Sequence, residues 1–280
     1  IVVAFRMLPE VVWNMPRLGT FNLHASLLPQ YRGAAPINWA VINGDTETGI
    51  TTFFLKHEID TGEVIQQVRV PIADTDNVGI VHDKLMLLGG RLVVETVDAI
   101  LAGTVKSIPQ EEMAVVGELR PAPKIFKDTC RIDWNRPVKR IYDFVRGLSP
   151  YPAAWTELVQ PGGESVVVKI FETEKIGESH QLVPGTLQTD GKTYIRVAAE
   201  DGFVGICSLQ LPGKGITFFF CPACNTQFCK YLICLTTFLD CYTGYSAAAD
   251  YKYSAHVFYL LILYFTIAAV FISPLPAAVP

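Results

Sequence analysis

The chain opens with IVVAFRMLPEVVWNMPRLGTFNLH (residues 1–24), and this stretch predicts two strands joined by a helix. The apolar run Ile1–Phe5 is typical of a strand that is buried on both faces. Pro9–Met15 is short and begins with proline, which is favoured in the first turn of a helix. Gly19–His24 predicts the second strand. A strand, a helix and a second strand in this order favour a parallel sheet of the α/β class.

The pattern continues downstream as one α/β domain. Ala34–Asn43 predicts a helix, and Ile50–Leu55 and Glu63–Val70 predict two further strands. Val78–Leu101 shows long apolar periodicity and predicts an amphipathic helix, which a glycine closes two residues later. We therefore expect residues 1–103 to form an α/β domain with the predicted sheet at its centre.

A second domain is predicted after a polar connection. Residues 104–128 are polar and contain three prolines, so they predict a linker. Val138–Arg146 then predicts a helix that ends at Gly147. The β-rich segments that follow are Ala154–Leu158, Ser165–Phe171, Gly185–Thr189, Thr193–Ala198 and Gly205–Leu209. One helix and five short strands are typical of a small OB-like β-barrel, which we place at residues 129–213.

Residues 214–280 differ abruptly in composition from the rest of the chain. They contain no Glu, Arg, Trp or Met, and they hold five of the seven cysteines. Cys221 and Cys224 form a CPAC pair, but no second pair follows at a zinc-binding spacing. Val257–Ile272 is almost wholly apolar, yet it is shorter than the roughly 20 residues that span a bilayer. We expect neither a metal site nor a membrane anchor there, and we interpret this tail as the product of a shifted reading frame or an assembly error.

Charge and cysteine usage limit the location and the partners. The formal net charge is -4 at pH 7, so any contact with nucleic acid would use a local basic patch. Cys130 and Cys207 are isolated from each other, which suits a reducing compartment, and no signal-peptide pattern is present. We therefore expect a cytoplasmic protein. The chain does not begin with Met, and we interpret residue 1 as a point inside a domain whose earlier part precedes it.

Three polar residues are the best candidates for catalysis. Asn22 and His24 are two residues apart, so on a strand both side chains leave the same face. Asp60 follows in the motif EIDTGEV. An amide and an imidazole can donate hydrogen bonds to a developing oxyanion, while a carboxylate can orient the imidazole and help move protons. These three residue types suffice for acyl transfer without a metal or a covalent intermediate.

The motifs around these residues resemble those of the folate-dependent formyltransferases. They are Asn22-Leu23-His24-Ala25-Ser26-Leu27-Leu28-Pro29, Tyr31-Arg32-Gly33-Ala34-Ala35-Pro36, Gly44-Asp45, Glu47-Thr48-Gly49 and Ile59-Asp60-Thr61-Gly62-Glu63. Their order and spacing are kept, and the resemblance runs from about residue 1 to residue 213. It is strongest to the members that act on methionyl initiator tRNA. The resemblance implies an incomplete Rossmann-like catalytic sheet, followed by an OB-like barrel that contacts tRNA.

The resemblance also implies the reaction and its site. A formyl group would pass from 10-formyltetrahydrofolate to the amino group of methionine on initiator tRNA, with Asn22, His24 and Asp60 as the catalytic residues. Folate would be contacted by Ser26, Leu27, Leu28 and Pro29, and by Arg6, Met7 and Leu8. No metal and no membrane is implied, and we expect a monomer. The basic residues of the second domain that could contact tRNA are Lys139, Arg140, Arg146, Lys169 and Arg196, although each is more often a solvated charge.

Other functions stay open from the sequence. The same three residues would serve a formyltransferase that acts on a UDP-amino-sugar. Formylation of glycinamide ribonucleotide fits less well, because that family has no barrel after the catalytic domain. Asp60-Thr61-Gly62 also matches the aspartic-protease tripeptide, but that chemistry needs two such carboxylates, and the chain has one tripeptide unless a homodimer supplies the second. A non-catalytic RNA-binding remnant is the alternative from a different class, because an incomplete sheet need not hold an active site.

Overall fold

The computed structural model of the protein describes residues 1–3, 8–114, 117–159, 163–190 and 193–218. In chain order its strands and α-helices are β1 (Val2–Val3), α1 (Glu10–Trp13), β2 (Phe21–His24), α2 (Pro36–Ile42), β3 (Glu47–Phe54), β4 (Val64–Pro71), α3 (Val78–Leu101), α4 (Val138–Leu148), β5 (Ala154–Val159), β6 (Ser165–Ile176), β7 (Leu187–Thr189), β8 (Ile195–Ala198), β9 (Phe203–Gln210) and β10 (Ile216–Phe218). The 3-10 turns Gln110–Glu112 and Asp128–Cys130 lie between α3 and α4.

The first sheet has the strand order β1-β2-β3-β4 and is mixed. β1 and β2 are parallel, as the opening strand-helix-strand pattern predicts. β3 runs antiparallel to β2, and β4 runs antiparallel to β3, so the expectation of a parallel sheet is wrong for these strands. Only nine residues separate β3 from β4, and a connection this short can reverse the chain but cannot carry a parallel crossover.

The long helix α3 covers one face of this sheet and has the bounds that its periodicity predicts. Its buried side chains Val81, Leu85 and Leu92 belong to one core cluster with Ile50 of β3 and Val70 of β4. Burial of each such side chain contributes about 1.5–3 kcal/mol. The helix therefore holds the sheet that carries the candidate site. Within the part of the chain that the structure describes, no helix is both long and apolar enough to cross a membrane.

The second sheet is antiparallel and contains all five strands that the sequence predicts. Its order is β5-β6-β9-β8-β7, and β10 pairs with β9. The mixed first sheet and the curled second sheet confirm the predicted Rossmann-like and OB-like classes. β10 lies within the predicted tail, which therefore begins by extending this sheet. The remaining tail, with its cysteine pair and the apolar stretch Val257–Ile272, lies outside the described residues.

The helix α4 ends one residue later than Gly147, where the sequence predicts its end. Gly147 lies inside the helix because α4 packs closely on α2. A Cβ at this position would lie 2.5 Å from Cγ1 and 2.8 Å from the backbone nitrogen of Ile42. The glycine is therefore needed for close helix contact and does not terminate the helix. This contact joins the second domain to the first.

We expect Gly147→Ala to destabilise the protein by about 1–3 kcal/mol, because the added methyl group would overpack the contact with Ile42. Gly90→Ala is the matched control, since Gly90 also lies in a helix and a Cβ there would meet no atom within 4 Å. The control should gain about 0.5–1 kcal/mol from helix propensity. Urea unfolding of both variants measures the effect. Equal shifts of the two midpoints would contradict the packing argument.

Residues 104–128, predicted as a linker, lie along the first domain and pair with its loops. Val64 and Ile108 exchange two backbone hydrogen bonds of 2.8 and 2.9 Å. Further along, the Ala122 nitrogen donates to the Arg32 carbonyl at 2.8 Å, and Ala122 is fully buried. The prolines of this segment correctly indicate the lack of long regular elements. They carry no information about its packing, which depends on partners far away in the sequence.

Candidate active site

The three candidate catalytic residues line one cavity of about 1250 Å³. Asn22 and His24 reach it from β2, and Asp60 reaches it from the loop between β3 and β4. Apolar side chains supply much of the surrounding wall, among them Val3, Leu8, Trp13, Ile37 and Leu85. The cavity therefore combines an apolar wall with a small group of polar side chains, as is usual for small-molecule sites.

The hydrogen bonds of His24 determine which ring nitrogen is available for chemistry. Its Nε2 lies 2.9 Å from the carbonyl oxygen of Tyr31. Because a carbonyl can only accept, Nε2 must carry the hydrogen in this contact. The other nitrogen, Nδ1, lies 3.9 Å from Oδ2 of Asp60, which is beyond a direct hydrogen bond. Nδ1 is thus the nitrogen that faces the carboxylate and can exchange a proton.

Asp60 is held by a backbone donor and by an unusual backbone conformation. Its Oδ2 accepts a hydrogen bond of 2.9 Å from the Gly33 nitrogen. Its φ angle is 57°, in the left-handed region that aspartate tolerates better than most residues. Two residues later, a Cβ at Gly62 would lie 1.6 Å from the carbonyl oxygen of Phe54, so only glycine fits. The loop geometry therefore directs this carboxylate toward His24.

A buried glutamine supports the candidate site, and no sequence pattern marks it. Gln110 is 2% exposed. Its side chain contacts the backbone of Asp60 and Gly62 and the guanidinium of Arg32. Gln110 stands in a polar, proline-rich segment, where a glutamine carries no periodic signal that would mark it as buried. Arg32 belongs to one of the motifs that carry the family resemblance, and the structure pairs it with Gln110.

The residues predicted to contact folate lie in different surroundings. Leu8 lines the cavity, whereas Ser26, Leu27, Leu28 and Pro29 do not. The Ser26 hydroxyl donates to the Gln30 carbonyl at 2.6 Å, and the Thr51 hydroxyl donates to the Ser26 carbonyl at 2.6 Å. The bond to Thr51 holds the loop that follows β2 against β3. Arg6 and Met7 lie outside the described residues, so the folate contacts stay a prediction.

Tyr31, whose carbonyl accepts from His24, is itself fixed by a partly buried polar cluster. Its hydroxyl donates to Oδ2 of Asp45 at 2.6 Å and accepts from Asn43 at 3.1 Å. Arg120 donates to the same Asp45 carboxylate and lies over the Tyr31 ring, 5.1 Å from its centroid. Burial, and next the hydrogen bond to Asp45, raise the pKa of Tyr31 well above its ordinary value. The cluster thus holds the residue that orients His24.

We expect the protein to lose stability with rising pH through Tyr31. A raised pKa in the folded state means that the stabilisation is complete below the unfolded pKa of about 10 and is lost as the pH rises above it. Urea midpoints at about pH 9 and about pH 11 should fall more in the parent than in Tyr31→Phe, which has no group to ionise. An equal fall in both proteins would assign the alkaline loss to other groups.

The basic residues of the second domain are largely engaged within the protein. Arg146 is buried and donates to the Asp143 carboxylate and the Asp76 carbonyl, both at 2.8 Å. It therefore holds α4 against the first domain and does not face solvent. Lys139 also pairs with Asp143, at 2.6 Å. The other candidates for tRNA contacts lie as follows: Arg140 donates to the Asn43 carbonyl, Arg196 pairs with Glu178, and Lys169 is exposed.

No metal-binding cluster accompanies the site within the described ranges. No group of three or more His, Cys, Asp or Glu side chains there could hold a metal ion. The other polar or charged side chains that line the cavity are Glu10, Asn38, Lys56, His57, Glu58, His82 and Lys124.

Two sequence profiles of one family match the chain. The profile described as formyl transferase matches residues 1–97, and the profile described as formyl transferase, C-terminal domain, matches residues 124–217. The second match includes most of β10, in agreement with its place in the second sheet. Both segments that carry the candidate residues, β2 and the loop before β4, fall within the first match.

Curated relatives share high identity with the matched part of the chain. The methionyl-tRNA formyltransferase of Bacteroides fragilis is 85% identical over 214 residues, which are 76% of this chain and 66% of that protein. The methionyl-tRNA formyltransferase of Azobacteroides pseudotrichonymphae is 59% identical over 216 residues, with coverage of 76% and 67%. The chain thus spans about two thirds of the length of these relatives.

Solved structures share the fold at low identity. HypX from Aquifex aeolicus in complex with tetrahydrofolic acid has a TM-score of 0.54 at 21% identity, over 76% of this chain and 35% of that chain. The N-formyltransferase from Helicobacter canadensis, in complex with folinic acid and dTDP-3-aminofucose, has a TM-score of 0.51 at 19% identity, over 66% and 64%. At these identities the likeness supports the fold alone.

Proposed function

Because the chain belongs to the formyltransferase family, we propose that it transfers the formyl group of 10-formyltetrahydrofolate to the amino group of methionyl initiator tRNA. The observation that carries this proposal is the 85% identity to the Bacteroides fragilis methionyl-tRNA formyltransferase over 214 residues, which extends through both domains. Asn22, His24 and Asp60 on the wall of one cavity support the same reaction.

Asn22 and His24 stabilise the negative charge that develops on the formyl oxygen when the amine attacks the formyl carbon. The Asn22 amide donates one hydrogen bond. His24 donates the second from Nδ1 when it is protonated, because Nε2 is occupied by the Tyr31 carbonyl. Since His24 is held before the reaction by its bond to Tyr31, it needs little reorganisation as the charge forms. The rigid contact to Tyr31 gives the imidazole its orientation.

Asp60 helps to move the proton that the amine must lose. Its carboxylate lies 3.9 Å from Nδ1 of His24, close enough to accept a proton from the amine through one water. The Gly33 nitrogen occupies one side of Oδ2 and holds the carboxylate in this direction. The proton then returns to the departing nitrogen of the formyl donor, which completes the transfer.

We place the formyl donor in the same cavity. A formyl-folate would supply the one-carbon group, and the apolar side chains Leu8, Trp13 and Leu85 offer a surface for its ring system. Two solved proteins that share the fold were crystallised with tetrahydrofolic acid and with folinic acid. We keep Arg6, Met7 and Ser26-Leu27-Leu28-Pro29 as proposed folate contacts. The proposal requires no metal ion.

The tRNA acceptor and the domain organisation are part of the same proposal. Residues 1–103 would carry the reaction, residues 104–128 would connect the domains, and residues 129–213 would contact the tRNA. Initiator tRNA is used in the cytoplasm, so we propose that location and a monomeric enzyme. The exposed Lys169 of β6 remains available as a phosphate contact, whereas Arg146 is buried.

Formyl transfer measured with charged initiator tRNA and with a UDP-amino-sugar tests the proposal. The Bacteroides fragilis relative serves as the positive control in the same assay. Formylation of the tRNA, with none of the sugar, is the expected result. Transfer to the sugar alone would reassign the acceptor. No transfer to either acceptor, while the control protein is active, would leave the chain as a non-catalytic remnant.

A further inference from the structure

The buried Gln110 lies outside both segments that the family profiles match. It begins a 3-10 turn, Gln110–Glu112, in the segment that connects the two domains. A glutamine amide has two N–H donors and an oxygen with two lone pairs, and a buried one must satisfy them within the protein. At 2% exposure Gln110 does so, whereas its neighbour Glu112 is exposed.

All four hydrogen-bonding positions of the Gln110 side chain are used. Its Nε2 donates to the carbonyl oxygens of Asp60 and Gly62 at 2.9 and 2.8 Å. Its Oε1 accepts from Nε and Nη2 of Arg32 at 3.0 and 2.6 Å. Two carbonyls can only accept and a guanidinium can only donate, so these partners also determine the orientation of the amide. The side chain thus bridges two loops of the candidate site.

These bonds connect the two loops that hold the Asp60 carboxylate. Arg32 is followed directly by Gly33, whose nitrogen donates to Oδ2 of Asp60 at 2.9 Å. Gln110 therefore ties the backbone of Asp60 to the loop that supplies the donor for its side chain. Asp60 also has a left-handed φ of 57°, a conformation that needs support from its surroundings. Loss of the Gln110 contacts would release both the backbone of Asp60 and the loop that holds the Gly33 N–H donor.

We propose that Gln110 is a positioning residue for formyl transfer, acting through Asp60 and the Gly33 donor. The inference rests on the proposed function for its effect on the rate. Gln110 does not line the cavity and has no contact with the reacting atoms. Its role is to keep the Asp60 carboxylate at the distance from His24 at which a proton can be passed. The segment between the two domains thereby contributes to the site.

Two variants separate this role from simple loss of packing. Gln110→Ala removes all four bonds, whereas Gln110→Glu keeps the size of the side chain and an acceptor for Arg32 but replaces the donor to the two carbonyls. Both should lower kcat by about 10- to 100-fold, since a displacement of 1 Å can cost this much. KM for the donor and for the tRNA should stay within about twofold. Glu112→Ala, in the same turn, should keep the parent rate.

A double-mutant cycle with Asp60→Asn tests whether Gln110 acts through this carboxylate. In the Asp60→Asn background, Gln110→Ala should lower kcat by less than about twofold, because the group that it positions is already inactive. A general structural defect would instead multiply the two losses. Multiplied losses, or a parent-like kcat in Gln110→Glu, would overturn the proposal.

Hydrogen exchange provides a readout that needs no turnover. The Gly33 amide is protected by its bond to Asp60, so its exchange rate reports the position of the carboxylate. We expect this amide to exchange about 10-fold or more faster in Gln110→Ala and at the parent rate in Glu112→Ala. Unchanged exchange in both variants would overturn the positioning role. If the parent chain transfers no formyl group, the proposed function fails, and the Gly33 exchange still decides the role of Gln110.

Discussion

His24→Ala is expected to lower the rate of formyl transfer by about 10²–10³-fold, because it removes one of two donors to the developing oxyanion. Asn22→Ala should have an effect of similar size for the same reason. Asn22→Asp is the sharper variant, since it keeps the shape of the side chain and removes the amide donor. The decisive measurement is kcat/KM for charged initiator tRNA under saturating donor.

A variant of a second histidine separates a loss of catalysis from a loss of folded structure. His180 bonds the Gly202 carbonyl and does not line the cavity, so His180→Ala should keep the parent rate. Thermal unfolding of each variant accompanies the kinetics. Full turnover by a folded His24→Ala or Asn22→Asp protein would remove that residue from the catalytic set. If the loss of rate is fully explained by a smaller fraction of folded protein, the residue is likewise removed from the catalytic set.

Replacement of Asp60 should have the second large effect. Asp60→Asn retains an oxygen for the Gly33 N–H and a side chain that tolerates the left-handed backbone, but it loses the negative charge that faces His24. We expect kcat to fall by about 10²–10⁴-fold, the range typical of general acid–base groups. Asp60→Ala should fall at least as far and should also unfold more easily, because it lacks the acceptor and the tolerance for this φ angle.

Asp83→Asn on α3 is the charge-matched control for this experiment. Asp83 is exposed and does not line the cavity, so the loss of its charge should leave kcat unchanged. An Asp60→Asn protein as active as this control would show that the carboxylate has no part in proton transfer. The rate of Asp60→Asn, compared with that of Asp60→Ala, then measures how much of the effect comes from geometry alone.

Local patterns predicted the regular elements well. The bounds of α3 agree with its apolar periodicity, because a helix that covers a sheet must present one apolar face along its whole length. The same local reasoning failed at Gly147, where a glycine typical of a helix end lies inside α4 and makes room for Ile42. It also failed for the strand directions of β3 and β4, since direction depends on pairing that a run of side chains does not encode.

The sequence by itself determined the fold class and brought Asn22, His24 and Asp60 forward as candidates, because short motifs and side-chain periodicity are local properties of the chain. Only the tertiary structure decided that Nε2 of His24 bonds the Tyr31 carbonyl and that Nδ1 faces Asp60. It alone revealed Gln110, whose partners lie 50 and 78 residues away along the chain. Contacts across such separations depend on the folded packing of several segments, and no single segment contains them.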